Sequence, residues 1–182
     1  MIALRQEVYP RTFEIINILE ENFSKIKEEF LSVVSEQLHT KWHETYLYTE
    51  GWNVFGLRFQ GRDIQEAHQL CPFISSVILD NDELIETAGF SILKPNTVIF
   101  PHEGYTDNVL RCHLGITVPE GDCCLRVGET VIKWQEGEAF IFDDMVEHEA
   151  WNKTNETRIV MLIDLKKEVL LREEFEHVEG LS

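Results

Sequence analysis

Long apolar runs are absent: no stretch approaches the roughly 18 consecutive apolar residues of a membrane-crossing helix. Basic residues are scarce, with 16 Lys and Arg against 33 Asp and Glu and a net charge of −17. A field of that sign repels phosphate backbones and anionic lipid surfaces, so neither a nucleic-acid nor a membrane partner is expected. Cysteine is sparse too. Cys71, Cys112, Cys123 and Cys124 form neither a disulfide framework nor a CxxC pair, and they read as reduced thiols of a cytoplasmic protein. The opening MIALRQEVYPR lacks the basic-then-apolar layout and small-residue cleavage site of a secretion signal. Repeats, low-complexity segments and linkers are also missing.

What is there suffices for one domain over residues 1–182, with a helical and mixed support region at 11–80 and a β core at 85–168. Residues 11–37 predict one amphipathic helix. Leu19, Phe23, Ile26, Phe30 and Val33 or Val34 step by four and three along one stripe, opposite a face of Glu and Lys. In 39–49, His39 and His43 are spaced to share a helix face, but the surrounding Thr and Tyr favour loop or extended chain and surface histidines. GWNVFGLRFQG (51–61) alternates as a strand, with Val54, Leu57 and Phe59 as inward candidates. Cys71-Pro72 and the DND that follows bracket a helix over Pro72–Leu79.

From Phe90 the period changes. FSILKP, TVIFPH, VLRCHLGITV, CLRVG, TVIKW, EAFIF, HEAW and RIVMLIDL are short β-rich runs separated by Pro- and Gly-containing turns. Regular short strands of this kind predict a mainly β sandwich or barrel, with the N-terminal helices packed outside and a site in its mouth.

Two histidines stand out. His102 follows Pro101, whose fixed φ and missing donor suit a strand edge at a barrel rim. His148 sits in FDDMVEHEAW, where acidic neighbours could orient a ligating imidazole. An imidazole pair suits Fe, Zn, Cu or Ni. Many non-haem iron oxygenases add a carboxylate two residues after the first histidine, on the same strand face, but Gly104 holds that position. Three readings stay open: water at the third position, a carboxylate such as Asp143 or Asp144 reaching in, or no iron site. The cations Arg111, His113, Arg126 and Arg158 are scattered through otherwise apolar runs. Arg158, in TRIVMLID, must meet either an anionic ligand or an internal carboxylate, because burying a lone guanidinium is costly.

These residues carry a resemblance. From Leu19 to Asp164, through LEENFSKIKEE, GWNVFGL, FSILKPNTVIFPHEGYTDNVLRCHLGITVPE, CLRVGE, WQEGEAFIFDDMVEHEAWN and RIVMLID, the chain resembles the aspartyl/asparaginyl β-hydroxylases. That family of Fe(II)- and 2-oxoglutarate-dependent oxygenases implies a double-stranded β-helix, a jelly-roll or cupin-like barrel. By position it implies iron ligands at His102 and His148, and a 2-oxoglutarate site at Ser91, His113 and Arg158 with Arg158 on the distal carboxylate. Arg111 then lies near substrate and co-substrate, and water takes the ligand position that Gly104 leaves vacant. The implied reaction consumes O2, decarboxylates 2-oxoglutarate and hydroxylates a C–H bond of an amino-acid-like or peptidyl substrate, by default the β-carbon of Asp or Asn. The animal peptide hydroxylases of that family carry basic residues at the positions held here by Gly89 and Val109. A related halogenase and a non-catalytic cupin-like module binding a metal or dicarboxylate are the rival expectations. Oligomeric state is not legible.

Overall fold

All eight β-rich runs become strands in the structure, a computed structural model that describes residues 5–33 and 39–172. They are β4 (Ile85–Leu93), β5 (Thr97–His102), β6 (Val109–Thr117), β7 (Cys123–Val127), β8 (Thr130–Lys133), β9 (Ala139–Phe142), β10 (His148–Asn152) and β11 (Arg158–Lys166). Their pairing is nested: β7 with β8, β6 with β9, β5 with β10, β4 with β11, all antiparallel. A long hairpin rolled on itself in this way sends successive strands to alternate sheets, which is a double-stranded β-helix. The smaller sheet runs β5-β10-β7-β8. The larger continues outward from β4 onto β2 (Trp52–Phe59) and β1 (Thr40–Lys41), with β3 (Arg62–Asp63) paired to β2.

The period of two along β11 explains why the molecule has two cores. Met161, Ile163 and Leu165 face the helices and join Ile15, Leu19, Phe30 and Ile74 in one cluster. Val160 faces the other way and joins Trp52, Trp134 and Phe142 between the sheets. That inner face also carries the polar residues of the site, so β11 is buried along nearly its whole length.

The support region departs from expectation in three places. The single helix over 11–37 is two, α1 (Glu14–Glu21) and α2 (Phe23–Val33). The break falls at Asn22, whose Nδ2 and backbone N–H both donate to the Ile18 carbonyl, the local competition with the helix ladder that amide side chains offer. The predicted stripe still faces the core, with Leu19, Ile26 and Phe30 buried; Val34 lies outside the described residues. A second helix, α3 (Gln65–Leu70), precedes the expected one, α4 (Pro72–Asp80). Phe59 points outward at 51% exposure, because the β2–β4 register shifts between Gly56 and Arg58 and resets the alternation after Leu57. His43 lies on an exposed segment beside a short 3-10 turn, as the sequence suggests.

Candidate active site

His102 ends β5, the edge strand of the smaller sheet, and His148 begins β10 directly opposite it. The cross-strand register brings the rings to 4.3 Å between centroids. Each Nδ1 lies on a main-chain carbonyl, His102 on Phe100 at 2.7 Å and His148 on Val146 at 2.9 Å. A carbonyl only accepts, so both Nδ1 atoms carry the proton and both Nε2 lone pairs are left for a ligand. Burial, then the neighbouring His102, pushes His148 down to about 3, and burial also lowers His102. Two neutral imidazoles on facing strands are the donor set a soft-to-borderline divalent metal needs. The orienting partners are these carbonyls. The acidic neighbours expected in that role are engaged elsewhere, Glu147 and Glu149 both gripping Arg126 on the surface.

The space beside Gly104 is filled. A Cβ there would meet Oδ2 of Asp144 at 2.5 Å and its Cγ at 2.6 Å. Asp144 is fully buried, neither of its oxygens accepts a hydrogen bond, and its charge is met by Arg111 at 3.3 Å. Burial pushes its carboxyl up to about 6. Asp143 points away, toward Arg5 and Lys167. Among the described residues no three His, Cys, Asp or Glu side chains cluster as a metal site, and His102 and His148 stand as a pair.

Arg111 and Arg158 divide sharply. Arg111 makes a two-pronged contact with Asp164, 2.7 and 3.0 Å, from the facing position on β11. Burial alone would lower its pKa, but Asp164 and Asp144 outweigh that and raise it. Arg158, 1% exposed, pairs with no carboxylate among the described residues. It reaches Ser91 Oγ at 3.4–3.5 Å, its guanidinium carbon lies 4.6 Å from the Trp134 ring centre, and its Nε is unpartnered. Burial pulls it down to about 10. A buried guanidinium without a counter-ion is a standing demand for an anion. Ser91 accepts from Trp52 Nε1 at 3.0 Å, leaving its own O–H to donate. His113 accepts from Trp134 Nε1 through Nδ1 at 3.2 Å, and its Nε2 is buried and unpartnered.

The predicted residues Ser91, His102, Arg111, His113, His148 and Arg158 all line one small cavity of about 30 Å³. Trp52, Trp134 and Asp164 belong to this constellation and were not read from the sequence. Their only signal was a large or charged residue at the inward phase of an apolar strand, or just beyond a strand end. The cavity adjoins a larger slot of about 480 Å³ through Ser91, Arg111 and Leu162. A third space of about 1030 Å³, beside Lys166 and Lys167, holds none of these site residues.

Residues 20–168 match the family described as Aspartyl/Asparaginyl beta-hydroxylase. The mouse aspartyl/asparaginyl beta-hydroxylase is 31% identical over 161 residues, which cover 84% of this chain and 21% of that protein. The ornithine lipid ester-linked acyl 2-hydroxylase of Rhizobium tropici is 41% identical over 118 residues, 64% of this chain and 42% of that protein. The chain thus spans less than half the length of these curated relatives. Among solved structures, the non-haem alpha-ketoglutarate-dependent carbocyclase SnoK from nogalamycin biosynthesis superposes with a TM-score of 0.54 at 12% identity. The superposition covers 87% of this chain and 78% of that one, and it shows the shared fold.

Proposed function

Because this chain belongs to the aspartyl/asparaginyl beta-hydroxylase family, we propose that it is an Fe(II)- and 2-oxoglutarate-dependent hydroxylase whose site is the cavity between the two sheets. The observation that carries the reading is Arg158. It is a buried guanidinium without a carboxylate partner among the described residues, in the same cavity as two neutral, carbonyl-oriented imidazoles.

His102 and His148 hold iron through Nε2, their Nδ1–H groups fixing the ring planes. Arg158 and the Ser91 hydroxyl hold one carboxylate of 2-oxoglutarate, and His113 donates Nε2–H into the same pocket. Iron(II), when bound, supplies the activation of O2 that couples decarboxylation of 2-oxoglutarate to succinate with insertion of one oxygen atom into a substrate C–H bond. The aromatic wall of Trp52, Phe142 and Trp134 keeps bulk water from that bond. The four free thiols are in keeping with a reducing compartment such as the cytoplasm.

The default substrate is an amino-acid-like or peptidyl group, with attack at the β-carbon of Asp or Asn. One observation favours a second reading, an uncharged acyl chain. The slot that meets the site at Ser91 and Arg111 is walled by Val54, Ile64, Leu162 and the facing glycines Gly56 and Gly89. Its buried cations are already paired, Arg111 with Asp164 and Arg58 with Asp63 and Asp82. Among the described residues the charged side chain of the slot left without an ion pair is Lys41, on the exposed strand β1, and Gly89 has no room for a basic side chain: its Cβ would meet the Phe55 carbonyl at 2.7 Å. The acyl 2-hydroxylase named among the relatives fits the same reading.

Anaerobic addition of Fe(II) and then 2-oxoglutarate is expected to give the visible charge-transfer band of the chelate. His102→Ala and His148→Ala should fold yet retain little iron, and normal iron content in either removes that residue from the ligand set. Succinate release measured with Asp- and Asn-containing peptides and with N-acyl amino acids then separates the two substrate readings.

A further inference from the structure

Trp134 is 2% exposed and sits just beyond β8, in a segment that reaches across the outer end of β6. The approach depends on Gly115: any Cβ there would overlap the Gln135 carbonyl oxygen, and Gly137 N–H donates to the Gly115 carbonyl at 2.9 Å. Seated this way, the indole touches the two side chains of the cavity that each keep one unpartnered nitrogen, Nε2 of His113 and Nε of Arg158. Its Nε1–H points at His113 Nδ1, 3.2 Å away, and its ring face lies 4.6 Å from the guanidinium carbon of Arg158.

The direction of the first contact has a consequence. Indole Nε1 is a donor only, so Nδ1 of His113 must accept and must be unprotonated. A neutral imidazole then carries its proton on Nε2, the atom that is buried and without a partner. The second contact sets the guanidinium over an aromatic face, an attraction that strengthens when both groups are out of water. It leaves the guanidinium edge turned to Ser91 and the cavity.

We propose that Trp134 is the positioning residue of the dicarboxylate pocket: its N–H fixes His113 in the Nε2–H form as a donor, and its ring braces Arg158. The proposal rests on the 2-oxoglutarate reading only for the identity of the anion. The tautomer it requires is a property of the ligand-free protein.

Nitrogen-15 NMR of His113 in the metal-free protein reads the tautomer directly, and the Nε2–H form is expected. The Nδ1–H form, or an even mixture, overturns the proposal whatever the variants do. Trp134→Phe keeps an aromatic face for Arg158 but loses the N–H. It should release His113 into a mixture of tautomers and weaken 2-oxoglutarate binding about tenfold, the loss expected of one buried hydrogen bond, with iron content unchanged. A pure Nε2–H signal and unchanged affinity in a folded Trp134→Phe assign the residue to packing alone. Gly115→Ala, which displaces the segment from outside the pocket, should reproduce the tautomer mixture, and an unaltered His113 signal there counts against the proposed seating. If the wild-type ring is Nε2–H yet its signals do not respond to 2-oxoglutarate, the positioning stands and the co-substrate reading fails.

Discussion

Arg158 shows how one residue can be a liability to the fold and the reason for a site. Its burial without a carboxylate among the described residues lowers its pKa to about 10, which an arriving anion would reverse. Arg158→Met should leave iron content intact and weaken 2-oxoglutarate by roughly tenfold to a hundredfold, as loss of a charge-assisted hydrogen bond does. Arg158→Lys should recover little of it, because an ammonium lacks the planar fork of donors that a carboxylate meets. Unchanged turnover at low 2-oxoglutarate in either variant would end the co-substrate assignment. Gly104 carries the second prediction at this scale. The missing carboxylate of a facial triad cannot simply be restored there, since the space holds the buried Asp144 side chain. Gly104→Asp should be destabilised by about 1–3 kcal/mol through overpacking, with like-charge repulsion added. The double variant Gly104→Asp/Asp144→Ala exchanges one carboxylate for the other and should recover most of the melting temperature. A double variant no more stable than the single one would show that Asp144 is not the obstacle.

Among the elements, α4 depends on a helix distant in sequence. It starts at Pro72 with no side-chain cap from its own N-cap residue, Cys71. The carboxylate of Glu29, on α2, instead accepts from the N–H groups of Phe73 and Ile74 at 2.9 and 2.7 Å. That is an N-cap supplied across the helix–helix contact, and it places negative charge at the positive end of the α4 dipole. Glu29→Ala should cost about 1–2 kcal/mol in urea unfolding. Glu29→Gln should cost less, since its one remaining carbonyl oxygen still accepts. Equal losses for Ala and Gln would assign the effect to charge, and no loss would remove the cap from the account. The β elements behave differently. Their nested pairing aligns His102 with His148 and Arg111 with Asp164 through register alone. A one-residue slip would turn every one of those side chains to the other face.

The whole molecule has acidified imidazoles at its centre, and this sets a pH dependence. His148 titrates near 6.5 in an unfolded chain and near 3 in the fold, where burial and then His102 disfavour its charge. Between those values the unfolded state binds the extra proton, so stability falls as pH falls. The slope for this one group approaches about 1.4 kcal/mol per pH unit near the middle of that window. Asp144 opposes it: with its folded pKa raised to about 6, taking up a proton below pH 6 favours the fold. Comparing metal-free wild type with His148→Asn by urea unfolding at pH 7 and pH 5 isolates the imidazole. The wild type should lose more stability than the variant over that interval, and parallel losses would contradict the neutral buried ring.

Much of the fold was legible because strand and helix periods are local. The eight strand runs, the start of α4 at Cys71-Pro72 and the buried stripe of Leu19, Ile26 and Phe30 follow from spacing and turn residues alone. The break at Asn22 and the outward Phe59 were not legible. One turns on an amide bonding back to Ile18, the other on a register shift opposite β4. At the site, the sequence determined which side chains stand out: two histidines beside a missing ligand carboxylate, and arginines in strands that should be apolar. Only the tertiary structure decided their states. It paired Arg111 with Asp164 and left Arg158 without a carboxylate among the described residues, although both are arginines in buried strands. It put the Asp144 carboxylate where a Gly104 side chain would go and Trp134 between His113 and Arg158. The physical reason is that charge pairing and tautomer are set by neighbours brought in from distant strands, and a one-dimensional pattern records which groups are present without recording which of them meet.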